Sequence, residues 1–340
     1  MSEPLQNTTI TNYPDYPEPY VVSSNNREWK SQLINHLDFH RATFLSILKN
    51  EFHSDIVAAT NMTTPQYLEF QQHLEQDSSK SVGFFMELHH DELVIFEDPN
   101  DAHALLIGSF IEAVGRQNYR SGNPIMTKSA SRLAYNFVDE VNVACLEGDV
   151  MLSNRYRPNQ PMDLITRNTY PIVQIEIGVS QGYMSLDRRA QSYLSNGETK
   201  VVLNIKAVVS SDGIIRQLFC MYYHRDDVAN AENSVNRQDG GTAPRLVISF
   251  GSQLMTRTET AVINSTGVLA NNFVGLGRHG SAVQCLESGI PMYDVVIAAR
   301  DLFANVPIEA IPPYIDHNRD LHFDLYDDVR ERLVQTGNAV

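Results

Sequence analysis

The stretch from residue 171 to residue 194, PIVQIEIGVSQGYMSLDRRAQSYL, constrains the fold of this chain more than any other. After the proline, side chains alternate so that Ile175 and Ile177 fall on one face of a strand and Glu176 on the other. Gly178 ends this strand, and an apolar stripe then predicts a helix over residues 185–194. Two further strands follow in TKVVLNIKAVV and IIRQLFCMYYH. This order of elements predicts a mixed α/β fold with a central sheet.

The carboxylate of Glu176 points to the chemistry of this region. A glutamate on so apolar a strand is costly unless it is paired with a cation or binds one. One explanation is a salt bridge with Arg188 or Arg189 on the following helix. The other is a divalent-metal site shared with Asp149, which ends the upstream turn LEGD. Mg²⁺ takes one or two carboxylates together with water and phosphate oxygens, and a nearby cation then stabilises the charge of a reacting phosphate.

A series of motifs in fixed order carries a resemblance to a known family. The motifs are MTTPQYLEF (62–70), FMELHHDELVIFEDPNDAH (85–103), the acid turn Glu147-Gly148-Asp149, PIVQIEIGVS, the helix that ends at Tyr193, and TKVVLNI. On these motifs the chain is similar to the Uma-type restriction endonuclease family of the PD-(D/E)XK nuclease superfamily over about residues 62–210. The C-terminal stretch, with DLFANVPIEAIPP and a final helix, resembles an extension found in eukaryotic, notably fungal, relatives.

The resemblance implies a restriction-endonuclease-like core and metal-dependent hydrolysis of phosphodiester bonds in nucleic acid, in DNA rather than RNA. Asp149 and Glu176 would hold Mg²⁺ or Mn²⁺. The catalytic cation of the family lies four residues before the tyrosine of the helix, which here is Arg189 before Tyr193. Three further residues are accessory candidates: Glu87, His103 and Arg188.

Three departures from the family pattern bear on activity. Gly178 stands where the superfamily usually has a lysine, Arg189 stands where the Uma-type branch has one, and Gly148 replaces a usual proline. Arginine stays protonated at any accessible pH, so it can bind phosphate but cannot act as a base. The alternative function is therefore a catalytically degenerate nuclease fold that binds a protein or a nucleic acid.

A glycine pattern offers a third function. VGLGRHG fits a dinucleotide fingerprint through Gly275, Gly277 and Gly280. The residues before it are poorly apolar, and few residues follow it. A flexible glycine loop is the favoured interpretation, and a nucleotide-binding loop is the alternative.

Composition shifts suggest four segments. We expect a disordered polar tail over 1–28, a nuclease-like core with N-terminal helices over 29–225, a linker over 226–244, and an extension over 245–340 packed on the core. The extension is predicted to be β-rich, with strands in RLVISFGS, TETAVINS and MYDVVIAARDLF. Its closing helix lies in FDLYDDVRERLVQ.

Net charge, hydropathy and cysteine content limit the classes of partner and the compartment expected for this chain. The formal net charge of −15 disfavours general coating of nucleic acid, although a local basic groove is compatible with it. No apolar run is long enough to span a membrane, and the N-terminus lacks a secretory pattern. Three dispersed cysteines predict a reducing compartment, so we expect an intracellular protein of the cytoplasm or nucleus. A second copy of the chain is a further candidate partner.

Overall fold

The computed structural model describes residues 17–23, 26–48, 56–76, 84–89, 91–97, 101–129, 131–136, 143–158, 162, 169–179, 181–209, 214–228, 241–278 and 283–337. Most of the predicted linker and residues 1–16 of the predicted tail lie outside these ranges. Within them, helices and mixed sheets alternate along the chain, so the α/β prediction is confirmed. No helix in these ranges combines the length and the hydropathy that crossing a membrane requires.

The helices of the described residues are α1 (Trp29–Phe39), α2 (Arg41–Leu48), α3 (Thr64–Gln76), α4 (Asp101–Arg120), α5 (Tyr183–Ser195), α6 (Arg257–Ser265), α7 (Ala299–Leu302) and α8 (Glu331–Gln335).

The strands are β1 (Tyr20–Val21), β2 (Ile56–Thr60), β3 (Phe85–His89), β4 (Glu92–Glu97), β5 (Ile125–Lys128), β6 (Ser131–Asn136), β7 (Val143–Gly148), β8 (Val150–Asn154), β9 (Val173–Gly178), β10 (Val201–Val209), β11 (Ile215–His224), β12 (Leu246–Ser249), β13 (Phe273–Gly275), β14 (Asp294–Ile297) and β15 (Leu321–Asp324).

Two large sheets organise these strands. The first sheet has the order β1-β2-β4-β3-β7-β6, and the second sheet has the order β13-β12-β11-β10-β9-β8-β5. Strands β14 and β15 form a separate antiparallel pair. The chain passes from the first sheet to the second between β7 and β8, where Asp149 is the connecting residue.

A β-α-β unit forms the centre of the second sheet. Strands β9 and β10 are parallel, and α5 connects them. Parallel neighbours require such a crossover, and a helix with one apolar face supplies it. Strands β8 and β11 flank the pair in antiparallel orientation. The prediction of a strand and a following helix over residues 171–194 is therefore confirmed.

The second sheet is buried on both faces. One face packs against α4 and the C-terminal elements through apolar side chains that include Ile175, Ile177 and Phe110. The other face packs against α5 and α6 through Leu186, Tyr193 and their neighbours. A separate apolar cluster fills the space between the first sheet and α1 to α3.

The structure corrects two sequence predictions. The tail predicted to be disordered over 1–28 contains β1, which pairs with β2 in parallel. The segment TETAVINS is not a strand but most of α6, because Thr256 and Glu259 form a reciprocal capping box at its N-terminus. In the predicted extension after residue 245, the first strand, β12, pairs with β11, so the second sheet continues across the predicted linker.

Candidate functional site

The turn between the two sheets places Asp149 beside β9. Its Oδ2 accepts a hydrogen bond of 2.7 Å from the backbone N–H of Ile177. Its Oδ1 lies 3.2 Å from Nε2 of His103, which α4 carries near its N-terminus. The Asp149 side chain remains 15% exposed, whereas His103 is buried. The turn is thus fixed to both β9 and α4 by one carboxylate.

Helix α5 carries Arg189 on its buried face, directly over Glu176. The guanidinium donates from Nε at 2.9 Å and from Nη2 at 2.5 Å to Oε2 of Glu176. Its Nη2 also lies 3.0 Å from the hydroxyl of Tyr193, one helical turn further on. Because residues four apart share a helix face, the spacing of Arg189 and Tyr193 brings both to the same carboxylate.

The same guanidinium reaches the first sheet. Nη1 of Arg189 forms an ion pair with Oε1 of Glu87 on β3. The other carboxylate oxygen of Glu87 lies 3.1 Å from Nε2 of His89. Arg189 therefore bridges a glutamate from each sheet, and the side chains of Glu87 and Glu176 are each only 1% exposed. We call Glu87, Asp149 and Glu176 the acid cluster.

A glutamine side chain donates a hydrogen bond to the other carboxylate oxygen of Glu176. Nε2 of Gln174, on the same face of β9, donates to Oε1 of Glu176 at 2.7 Å. The amide packs directly on Gly148, where an added Cβ would lie 2.1 Å from Nε2 of Gln174. The position of the Gln174 amide thus requires a glycine at 148.

Burial and charge together set the protonation of the cluster. Burial raises the pKa of Glu176 to about 8, while Arg189 acts to lower it and Asp149 and Glu87 act to raise it further. Burial disfavours the charged form of Arg189, yet Glu176 and Glu87 raise its pKa well above the ordinary value. The guanidinium therefore keeps its charge, and Glu176 holds a proton more readily than a solvated glutamate does.

Five of the six predicted site residues come together, although they lie on five different elements or turns. Arg188 does not join them, because it is on the exposed face of α5, where its Nε lies 3.4 Å from the Met184 carbonyl oxygen. Of the two explanations left open for Glu176, the structure contains the ion pair, and its partner is Arg189 rather than Arg188. The residues brought together are Glu87, His103, Asp149, Glu176 and Arg189.

Sequence reasoning missed the polar stripe that surrounds Glu176 on the second sheet. Asn204 and Lys206 on β10 are buried beneath α5 beside Gln174 and Glu176. Lys206 donates to the carbonyl oxygens of Val179, at 2.5 Å, and Ala207, at 3.1 Å. Strand alternation places these side chains on one face, so a repeated polar residue at every second position was the available signal.

Gly178, at the end of β9, packs directly against α5. An added Cβ at this position would lie 2.8 Å from Cδ1 of Leu186. Leu186 is fully buried in the apolar cluster beneath α5, so a side chain at 178 would require the Leu186 side chain to shift. A lysine at position 178 would therefore disturb this packing.

The donor set does not fit a bound Mg²⁺ in this arrangement. Among the residues that the structure describes, no group of three or more His, Cys, Asp or Glu side chains is placed to hold a metal ion. Mg²⁺ demands near-octahedral oxygen ligands and retains several waters. Here both oxygens of Glu176 already accept hydrogen bonds, and a fixed cation lies against one of them. The metal predicted from sequence remains a prediction.

The glycine loop has a packing role in the described residues. Gly275 (φ 92°) and Gly277 (φ 75°) adopt left-handed backbone conformations. An added Cβ at Gly275 would lie 2.1 Å from the carbonyl oxygen of Ser249 on the neighbouring strand. Gly280 lies outside the described residues, and no helix begins between residues 283 and 290. A dinucleotide site needs a helix N-terminus at this point, so the described residues give the nucleotide-binding alternative no support.

Comparisons with known proteins add little to this geometry. No protein-family model and no curated protein matches the chain. Among solved structures, a protein from Anabaena variabilis described as a "putative nuclease belonging to DUF820" is similar, with a TM-score of 0.32 and 11% sequence identity. The alignment covers 54% of this chain and 89% of that chain. A likeness of this size does not assign a function, so the proposal below rests on the side chains of the cluster.

Proposed function

We propose that this chain is a restriction-endonuclease-like protein that does not cleave nucleic acid and serves as a protein-binding module. The observation that carries the proposal is the buried bridge of Arg189 between Glu87 and Glu176. In this bridge a fixed guanidinium supplies the positive charge that a divalent cation would supply in a nuclease of this type.

Burial of the cluster supports the loss of cleavage. Phosphodiester hydrolysis requires that the phosphate and a nucleophilic water reach the carboxylates together. The side chain of Arg189 is 2% exposed and those of its two glutamate partners 1%. An arginine also cannot take a proton from water, because its guanidinium does not deprotonate. The cluster is therefore better suited to holding the two sheets and α5 together than to catalysis.

The acidic balance of the chain supports a protein partner over a nucleic acid. Binding to a phosphate backbone is driven by lysine and arginine side chains that displace counterions. The chain carries 41 acidic against 26 basic residues, so its overall field repels a polyanion. Binding to a protein surface that carries basic groups is not opposed by this electrostatic repulsion.

A second candidate function is metal-dependent cleavage of nucleic acid, as the sequence resemblance implies. The observation that favours it is the convergence of Asp149, His103 and Glu176 from distant segments, with Asp149 still accessible to solvent. This function requires Arg189 to leave Glu176 for a phosphate, and Asp149 and Glu176 to hold Mg²⁺ or Mn²⁺ in its place.

A cleavage assay separates the two functions. Purified full-length protein is incubated with supercoiled plasmid, single-stranded DNA and RNA in Mg²⁺ and in Mn²⁺, beside the variants Asp149→Ala and Glu176→Ala. The variant Arg188→Ala, at an exposed position of the same helix, is the control for mutation itself. We expect no cleavage that depends on either acid. Cleavage by the wild type and by Arg188→Ala that disappears in both acid variants would establish the second function instead.

Binding is tested separately. The full-length chain is used to capture partners from a lysate treated with nuclease, and DNA binding is measured by fluorescence anisotropy at several salt concentrations. We expect protein partners that survive the nuclease treatment and no salt-dependent binding to DNA. Tight, salt-dependent DNA binding with no retained protein would contradict the proposed partner class.

A further inference from the structure

Both carboxylate oxygens of Glu176 are held by side chains that are not metal ligands. Oε2 accepts two hydrogen bonds from Arg189, and Oε1 accepts one from the amide of Gln174. All three side chains are buried. A hydrated Mg²⁺ or Mn²⁺ would have to displace these donors before it could bind the carboxylate.

The backbone where β7 meets β8 makes room for the hydrogen bond between Gln174 and Glu176. Gly148 leaves the space in which the amide of Gln174 lies, and any Cβ there would overlap it. The next residue, Asp149, is fixed by the N–H of Ile177. The glycine and the glutamine therefore form one packing unit, and the unit directs the amide toward Glu176.

We propose, building on the non-cleaving function above, that Gln174 and Arg189 act together as positioning residues that keep divalent cations out of the acid cluster. Loss of either restraint opens one carboxylate oxygen of Glu176 to a divalent cation, and loss of both opens both oxygens. Hard cations prefer such oxygen donors.

The variants Gln174→Val and Arg189→Lys remove the two restraints without adding bulk and without changing the formal charge. Valine fits a buried strand position and cannot donate to Oε1 of Glu176. Lysine keeps one positive charge, but its single ammonium replaces a planar fork of donors that reaches Glu87 and Glu176 at once. Each freed charge-assisted hydrogen bond corresponds to a gain of about 10- to 100-fold in affinity for a competing cation.

The experiment measures Mn²⁺ binding by the electron paramagnetic resonance signal of free Mn²⁺, in wild type, in Gln174→Val, and in the double variant Gln174→Val/Arg189→Lys. The matched control is Gln217→Val/Arg157→Lys, which alters a buried glutamine and a buried arginine away from the cluster. We expect at least about a tenfold increase in Mn²⁺ affinity for Gln174→Val and a larger increase for the double variant. Adding Glu176→Gln to the double variant should remove the gain.

Circular dichroism establishes that each variant is folded before binding is compared. Affinity equal to wild type in folded Gln174→Val overturns the inference even if the double variant fails to fold. That result leaves the non-cleaving function standing. Wild type that binds Mn²⁺ as tightly as the variants, and cleaves nucleic acid in a manner that depends on Asp149, overturns both proposals.

Discussion

Replacing Arg189 with methionine removes the guanidinium that Glu87 and Glu176 share and leaves a side chain that matches only the aliphatic stem of the arginine. Both carboxylates then lie in the core without that cation, at positions where their side chains are 1% exposed. Breaking a buried ion pair by removing one partner costs about 3–5 kcal/mol. We expect a loss of that size in the free energy of unfolding at pH 8, measured by urea denaturation followed by far-UV circular dichroism.

The penalty should shrink at lower pH, because a protonated glutamate no longer needs the cation. Glu176 already has a pKa raised to about 8 by burial, so it takes up a proton readily once Arg189 is absent. Each unit of difference in pKa corresponds to about 1.4 kcal/mol, so most of the penalty should disappear by about pH 5. Adding Glu87→Gln and Glu176→Gln to Arg189→Met should likewise recover stability at high pH.

The matched control is Arg157→Met. Arg157 is also buried and forms an ion pair, but its partner Glu198 is 28% exposed. Water can solvate that carboxylate after the arginine is lost, so we expect a cost of about 1 kcal/mol with little dependence on pH. Equal costs for Arg157→Met and Arg189→Met, or a cost for Arg189→Met that does not fall toward pH 5, would refute the assignment of a buried bridge.

Three further predictions follow from neighbouring contacts. Gly148→Ala should cost about 1–3 kcal/mol by chemical denaturation, because its Cβ would lie 2.1 Å from Gln174, and Gln174→Ala in the same chain should relieve that cost. Wild-type stability should fall as pH rises from about 4.5 toward 8, since Glu176 releases a proton that the folded state holds more tightly, and Glu176→Gln should flatten that slope in thermal melts. Burial raises the pKa of Asp328 to about 6, so its contribution to stability is present at low pH and is lost as pH rises from about 4 to 6. The slope in that window should be smaller in Asp328→Asn than in wild type, and an unchanged slope would contradict this.

The β9–α5–β10 unit was predictable because its signal is local. Strand alternation around Glu176 and the helical stripe that ends at Tyr193 are set by neighbours in sequence. The same phase argument places Arg189, not Arg188, on the buried face, since Arg189 and Tyr193 are four residues apart.

The content of the site was less predictable, because it depends on contacts across the chain. Alternation put Gln174 on the face of Glu176 but could not reveal that its amide donates to the carboxylate. That bond exists because Gly148, on a strand of the other sheet, leaves room for it. Sequence alone left a metal and an ion pair as alternatives for Glu176. The structure contains the ion pair with Arg189, and the metal remains a prediction.

Helix α6 was missed although a local helix signal was present in the sequence. The strand propensity of the segment was given more weight than its capping box. The segment TETAVINS is rich in β-branched residues, which favour strands by propensity. The pattern Thr256-x-x-Glu259 is the capping-box signature, and two reciprocal hydrogen bonds at the helix start outweigh that preference.

The passage of the chain from β7 to β8 has a mechanical consequence. A single connecting residue, Asp149, separates a strand of one sheet from a strand of the other, and its carboxylate is hydrogen-bonded to β9. A connection of one residue couples the two strands closely, so a rotation of one sheet against the other would strain the backbone at Asp149 and the strand pairing beside it. Amide protons of β7 and β8 should therefore exchange with one common free energy of opening, through opening of both sheets at once rather than through separate local fluctuations.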